Sequence, residues 1–308
     1  MRPATISVIR AGMATTIQDA GRPGLSASGI GRSGAADRGA YELANRLVGN
    51  DAGAAVIETS GALVVRIDRA VLLALTGASA EATVDSGAVL EAGPAAGARS
   101  SAATRSATGP GTSIAHCAPT SLPAGSVIRI AVPRRGLRTY LAFRGGIAVP
   151  SVLCSRSRDT LAALGPIVTD GSVLTIGDDP RQPVLVDVAP QRERPSVVRV
   201  MPGPRRDWFT EEAWVRISSG VYTVDQSTSR VGARLHGATL QRARRDELPS
   251  EGMVLGAIQV PHNLQPIVML ADHPVTGGYP VIAVAHPDDV AIVAQAAPGT
   301  SLRFATVR

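Results

Sequence analysis

The chain has 308 residues, 44% hydrophobic and 18% charged, which fits one large or two moderate folded domains and excludes a globally disordered polymer. Its formal charge of +6 arises from 31 basic and 25 acidic residues, and every basic residue is arginine. Without lysine the chain holds no P-loop nucleotide site, no covalently attached biotin, lipoyl or pyridoxal group, and no Ser-Ser-Lys amidase centre.

Many Val, Ile and Leu residues alternate with 32 Gly and 22 Pro, while aromatics are 3%, a mixture that favours short strands joined by turns. Strands are expected at Thr5–Ile9, Leu63–Ile67, Val71–Leu75, Val127–Val132, Thr139–Phe143, Val173–Ile176 and Val184–Val188. Further strands are expected at Val197–Met201, Val221–Val224, Ile267–Leu270, Val281–Val284 and Ser301–Phe304. One helix is expected after Ser33 as its cap, with Ala36, Ala40, Leu43, Ala44, Leu47 and Val48 at helical spacing and Gly49-Asn50 as its stop. Shorter helices are expected after Thr210 and from Asp288 to about Gln295. The strands do not alternate with long helical patterns, so the fold class is mainly β with a few helices, arranged as barrels or sandwiches. Ala92–Thr112 is small and patternless and reads as a surface loop. A composition break over Asp178–Ser196 divides an N-terminal β-rich half, 1–190, from a C-terminal β-rich half, 191–308.

No stretch of 18 apolar residues occurs and the N-terminus carries no apolar leader pattern, so a cytoplasmic protein with no membrane partner is expected. Cys117 and Cys154 have no CxxC spacing, and the five histidines are scattered, so no disulfide framework and no metal site is expected. Arg242, Arg244 and Arg245 form the sharpest basic cluster, but Asp246 and Glu247 follow at once and few aromatics can stack bases, so a nucleic-acid partner is not expected.

Four stretches carry chemistry. Gly29-Ile30-Gly31-Arg32-Ser33-Gly34 matches GxGxxG but follows a loop instead of a strand, which argues against a dinucleotide fold; it remains either a tight turn or a turn whose free N–H groups hold an anion or a carbonyl. Gln18, Asp19 and Arg22 sit in a turn-rich stretch, where they either fix a polar substrate or lock the loop. Arg230 and Arg234 lie four residues apart, a spacing that lets both face one anionic group. Asp272-His273 and Thr276-Gly277-Gly278-Tyr279 follow an apolar run, where His273 acts as acid or base or merely caps a strand end, and Tyr279 can offer its O–H to an oxyanion.

Taken in order, GMATTIQDAGRPGLSASGIGRSGAADRGAYELANRLVGN, RGGIAVPSVLCSRSRDTL, VMPGPRRDWFT, STSRVGARLHG, GAIQVPHNLQPIVMLADHPVTGGYPVIA and AQAAPGTSLRF resemble the blocks of the allophanate hydrolase subunit 2 family, also called the KipA or biotin-dependent carboxyltransferase-like family. The resemblance spans nearly the whole chain. It implies two cyclophilin-like β-barrel halves and a partner of the allophanate hydrolase subunit 1 (KipI-like) type. In free-standing bacterial members it implies the C component of an ATP-dependent 5-oxoprolinase. That complex opens 5-oxoproline to glutamate with a KipI-like B component and a LamB/YcsF-like A component, and ATP is held by this chain or by a partner. The alternatives it implies are a carboxyltransferase acting on urea or a similar amide, and a non-catalytic regulator that binds a KipI-like protein. Cys154 and Arg158 stand where the family has Gly and Thr, Val231 and Ala36 where Met is usual, which leaves the substrate open.

On that basis Asp272, His273 and Tyr279 are the expected catalytic residues, orienting a lactam or relaying a proton. Arg230 and Arg234 would neutralise a phosphate or carboxylate, and Gln259, Thr276, Gly277 and Gly278 would bind beside them. Gln18, Asp19, Arg22, Ser33 and Gly34 would form a facing wall around a small acidic amide.

Overall fold

A computed structural model describes residues 3–85, 105–106 (backbone only), 111–190, 195–244 and 246–307. Most of the loop expected over Ala92–Thr112, and Arg245 of the basic cluster, lie outside the described residues. The chain forms two compact units, one of Met1–Gly21, Arg38–Arg158 and Gly165–Arg192, the other of Arg22–Asp37, Asp159–Leu164 and Glu193–Arg308.

The first unit holds β1 (Thr5–Arg10), β2 (Thr16–Gln18), α1 (Arg38–Leu47), β3 (Val56–Thr59), β4 (Leu63–Ile67), β5 (Val71–Ser79), β6 (Ala82–Asp85), β7 (Arg105–Ser106), β8 (Thr112–Ser113), β9 (Pro119–Leu122), β10 (Val127–Ile130), β11 (Arg135–Phe143) and β12 (Val173–Thr175). These strands build two six-stranded sheets, ordered β12-β1-β4-β10-β6-β8 and β2-β3-β11-β5-β9-β7. Successive side chains of a strand point to opposite faces, so Leu63, Val65 and Ile67 turn inward while Arg66 stays exposed. The register sets Ile6 opposite Ile67 and Ile128 opposite Val65. These side chains meet Ile17, Ile57, Leu73, Leu75, Leu141 and Phe143 of the second sheet in one buried cluster. α1 buries Ala40, Tyr41, Ala44 and Leu47, one stripe of a helix, and the Thr76 hydroxyl donates to the Ala40 carbonyl at 2.7 Å.

The second unit holds β13 (Val197–Pro202), α2 (Glu211–Ser219), β14 (Val221–Val224), β15 (Gly232–His236), β16 (Glu251–Gly252), β17 (Ala257–Gln259), β18 (Ile267–Met269), β19 (Thr276–Gly277), β20 (Val281–Ala285), α3 (Val290–Ala294) and β21 (Ser301–Thr306). Seven of these strands close a barrel in the order β13-β20-β17-β18-β15-β14-β21, sealed by parallel pairing of β21 with β13. Closure removes the unpaired edges that an open sheet exposes. Inside lie Val198, Val200, Tyr222, Val224, Leu235, Ile258, Val268, Ile282 and Phe304, with the Tyr222 and Phe304 rings 5.7 Å apart and tilted by 57°. α2 adds Ala213 and Ile217 to this core. Its cap is Thr210, whose hydroxyl accepts from the Ala213 N–H at 3.1 Å, and Glu211 and Glu212 favour its positive end.

The mainly β class and the few helices expected from the sequence are therefore present, and eleven of the twelve expected strands have counterparts. Val184–Val188 is the exception. It pairs with no strand, and Leu185 and Val188 are exposed, because Pro183 and Pro190 bracket a run with no ladder beside it. The first helix also starts later than expected, at Arg38. Ser33 has φ 52° and Gly34 φ 95°, left-handed conformations that cannot open a helix, and the Ser33 hydroxyl is used elsewhere. Thr16–Gln18, Val56–Thr59 and Ala257–Gln259 escaped the pattern because they are buried along their whole length and show no period of two.

Gly203 tests the packing of the chain after β13 against β20. A Cβ there would come within 2.4 Å of the Val281 carbonyl oxygen and 2.8 Å of the Ala283 nitrogen, both backbone. Gly203→Ala should cost about 1–3 kcal/mol of unfolding free energy in urea titrations.

Candidate functional site

The second unit contains a buried ion pair assembled from three stretches of chain. Arg230 reaches Asp272 through Nε to Oδ2 at 2.9 Å and Nη2 to Oδ1 at 3.1 Å, and both side chains are almost fully buried. The Asp272 carboxylate also accepts from the Ser33 hydroxyl at 2.7 Å, and from the Thr160 amide and hydroxyl at 2.9 and 2.7 Å. Arg230 Nη2 additionally donates to the Gly34 carbonyl at 2.5 Å. The left-handed turn at Ser33-Gly34 turns that hydroxyl and that carbonyl to opposite partners of one pair. Burial works to raise the Asp272 pKa, but the Arg230 charge and the bonds from Arg230, Ser33 and Thr160 outweigh it and hold the carboxyl below its ordinary value.

Arg22 and Asp159 extend the cluster with an ion pair at 3.8 Å between buried side chains. The Asp159 carboxylate accepts from the amides of Leu161 and Ala162 at 3.0 and 2.9 Å, which shapes the short turn that presents Thr160. Gly31 lies so close to the His273 carbonyl that a Cβ would stand 3.2 Å from it.

His273 follows directly, since the Asp272 amide donates to the Arg230 carbonyl at 3.0 Å. Its Nδ1 lies 2.8 Å from the Pro274 carbonyl. A carbonyl only accepts, so the neutral ring carries its proton on Nδ1 and leaves the lone pair on Nε2. Six residues on, Tyr279 is 40% exposed, and its carbonyl accepts from Gln259 Nε2 at 3.0 Å. Gln259 is buried, and Thr276-Gly277 pairs with Glu251-Gly252. A Cβ at Gly277 would meet Gln259 Nε2 at 2.7 Å, so a larger residue there would displace the Gln259 side chain from its present position. The loop between Asp272 and Tyr279 is thus anchored at both ends.

Of the residues expected from the sequence, Arg230, Asp272, Ser33 and Gly34 come together directly, and His273 adjoins them. Gln259, Gly277 and Tyr279 gather at the other end of the loop, while Thr276 and Gly278 are exposed. Arg230 and Arg234 do not converge on one anion: Arg230 turns inward to Asp272, whereas Arg234 projects from β15 and is exposed. Gln18 and Asp19 belong to the first unit. There Asp19 accepts from the hydroxyls of Ser155 and Ser157 at 2.7 and 2.5 Å and from the Arg156 amide at 2.6 Å, locking the Cys154–Arg158 stretch. Gln18 donates to the Arg158 carbonyl at 2.9 Å, and its buried Oε1 has no hydrogen-bond partner among the described residues.

Sequence reasoning passed over Thr160 and Asp159, although both stand in a block that carried the family likeness. It also passed over the first unit's buried Glu58, which accepts from the Tyr140 hydroxyl at 2.8 Å and lies 3.5 Å from Arg138. No cluster of three or more His, Cys, Asp or Glu side chains suited to a metal occurs among the described residues.

The mainly β architecture with a closed barrel is shared with carboxyltransferase-type domains, and the chain belongs to the carboxyltransferase domain family, subdomains A and B, whose model matches residues 28–306. It is 36% identical over 304 residues to the C component of the 5-oxoprolinase of Escherichia coli K12, covering 97% of this chain and 90% of that protein. It is 29% identical to urea amidolyase of Saccharomyces cerevisiae, covering 98% of this chain but 16% of that protein. Among solved structures, TTHA0988 superposes with a TM-score of 0.82 at 30% identity; 99% of this chain matches, spanning 56% of the TTHA0988 chain. The Kluyveromyces lactis urea amidolyase gives the same TM-score at 24% identity, which establishes a shared fold, with 19% of that chain covered.

The ion pair sets a stability prediction. Asp272→Asn leaves Arg230 buried without its counter-charge and should cost about 3–5 kcal/mol. Because the folded pKa of Asp272 is lowered, its contribution is present above the unfolded value of roughly 3.9 and is lost as pH falls through the folded value. The wild-type minus Asp272→Asn difference in unfolding free energy should therefore shrink on acidification below about pH 4 and stay flat above it, as read by denaturant titrations across pH.

Proposed function

We propose that this chain is the C component of an ATP-dependent 5-oxoprolinase, active with a KipI-like B component and a LamB/YcsF-like A component. The observation that carries the reading is the near end-to-end match with the C component of a 5-oxoprolinase, 97% of one chain against 90% of the other. The matched urea amidolyases are several times longer and contain this region as one part. The lysine-free composition also leaves this chain without the covalent machinery of a lysine-dependent amidase.

A lactam is a stable amide, so ring opening gains from activation of its oxygen. In the proposed reaction the lactam oxygen takes the γ-phosphoryl group of ATP and ADP leaves. A first water adds to the activated carbon, the C–N bond breaks, and the ring nitrogen departs as the amine. A second water releases phosphate from the resulting acyl phosphate, leaving glutamate. His273, with Nδ1 tied to the Pro274 carbonyl, presents Nε2 to accept the proton of the first water. Tyr279 offers its O–H to the acyl phosphate's carbonyl oxygen, where negative charge develops as the second water adds, on a backbone held by Gln259. Arg230 and Asp272 act as positioning residues: each is committed to the other, and together they fix the start of the loop that carries His273.

A carboxyltransferase acting on urea or a similar amide, with carboxybiotin on another protein, is the second reading. It is favoured by the likeness to urea amidolyase.

The test is the chain purified with its two partner proteins and assayed for glutamate and ADP, with each component omitted in turn. The expected result is 5-oxoproline-dependent ATP hydrolysis and glutamate release that require all three proteins. Bicarbonate-dependent turnover of urea with a biotin-carrying protein, and none of 5-oxoproline, would replace this reading by the second. In the active complex His273→Ala should lower kcat at least about tenfold while the melting temperature of the chain stays unchanged. Arg230→Ala should lose stability as well as activity, since it leaves Asp272 buried and unpaired.

A further inference from the structure

Arg242 is a half-buried cation of another kind. Its Nη2 donates to the Val260 carbonyl, and its buried Nε has no hydrogen-bond partner among the described residues. No carboxylate pairs with it among those residues, in contrast to its neighbour Arg244, which is 3.2 Å from Asp207. Burial pushes the Arg242 guanidinium below its ordinary pKa, with the Tyr279 hydroxyl opposing. A guanidinium taken partly out of water without a counter-charge carries a desolvation cost that a bound anion would offset.

The side chain borders a cleft of about 290 Å³ lined by Gln241, Arg242, His262 and Leu264, a size at the lower end of small-molecule sites. Among the described residues the lining offers a guanidinium, an imidazole and a carboxamide, and no acidic side chain. Leu264 holds a left-handed backbone, φ 62°, in the turn that closes with its amide on the Pro261 carbonyl at 3.0 Å and displays His262. The His262 ring stands edge-on to Tyr279, centroids 5.6 Å apart and planes at 89°, so the cleft adjoins the far end of the loop that begins at Asp272. The basic cluster Arg242-Ala243-Arg244 is thereby divided by structure: one arginine is paired at the surface and one is turned into a cleft.

We infer that this cleft is a binding site for a small oxyanion, a carboxylate or phosphate group, with Arg242 as its charge partner and His262 and Gln241 as further donors. The inference stands independently of the 5-oxoprolinase reading. If that reading holds, the ligand is the carboxylate of the lactam or of glutamate, or a phosphate group; if it fails, the cleft still takes an anion.

The experiment is calorimetric titration of the full-length chain alone with inorganic phosphate, 5-oxoproline and glutamate in separate arms. The arm that gives saturable binding identifies the anion. Arg242→Gln should weaken that binding at least tenfold, His262→Ala should weaken it by less, and Arg66→Gln, an exposed arginine on β4 of the first unit, should leave it unchanged. Absence of saturable binding in all three arms would overturn the site, as would an Arg242→Gln chain with wild-type circular dichroism that binds as tightly as the parent. Should Arg242→Gln fail to fold, Arg242→Lys, which keeps the charge but loses the planar fork, and His262→Ala decide the matter: unchanged affinity in both overturns the inference.

Discussion

The Arg230–Asp272 pair is the constraint around which the second unit is organised. Its partners come from positions 239 residues apart at Ser33, 112 at Thr160 and 42 at Arg230 itself. A buried carboxylate is costly unless its lone pairs are filled, and Asp272 receives five donors of which one residue supplies a full positive charge. The arrangement exchanges hydration for a fixed geometry. Two excursions of chain, Arg22–Asp37 and Asp159–Leu164, join the barrel's unit, and the pair binds both of them. A hydrophobic replacement could fill the same volume, but it would not specify which hydroxyl, amide and carbonyl must meet there.

That specificity passes to the loop after β18. Asp272 cannot shift without breaking bonds to three stretches of chain, and the Gln259–Tyr279 contact, made possible by the missing Cβ of Gly277, holds the other end. Between these anchors His273 has its tautomer assigned by the Pro274 carbonyl. A reactive group on a loop is useful when rigid elements fix its ends, and here the barrel supplies them. This buried ion pair thus serves orientation, and the groups with unspent hydrogen-bonding capacity stand next to it.

How far the sequence revealed this depends on range. Local signals were readable: Leu63–Ile67 is a short β-branched-rich run, Thr210 precedes two glutamates, and Gly49-Asn50 ends a helix, with Asn50 bonded to the Asn45 side chain and the Phe143 carbonyl at 2.9 and 2.8 Å. Ser33 shows the limit of such reasoning. Its residue type and position suit a cap, but a carboxylate far along the chain claims its hydroxyl, and positive φ at Ser33 and Gly34 delays the helix to Arg38. Arg230 and Arg234 show the same limit. Four residues apart they would share a helical face, yet Gly232–His236 is a strand, where Arg234 takes an outward position and Arg230 precedes the strand and turns in. Thr160 was illegible because a threonine in a turn has no pattern that names a partner 112 residues away.

The absence of lysine sharpens the division of labour among cations. Arginine stays protonated and neither takes nor gives a proton in the working range, so each guanidinium can only hold charge and aim donors. Proton transfer in this unit must then fall to histidine, tyrosine or a carboxylate. Asp272 and Asp159 are committed to arginines and amides, and Asp37 accepts from Gln295 Nε2 at 2.8 Å. His273 keeps one ring nitrogen unengaged among the described residues, and Tyr279 keeps its side chain 40% exposed. The arginines differ in the same respect. Arg230 is deeply buried and paired with a carboxylate through Nε and Nη2, so it stabilises one conformation. Arg242 is half-buried with a single carbonyl partner among the described residues, and the difference between the two is the difference between a charge the fold has neutralised and one it has left for something else to neutralise.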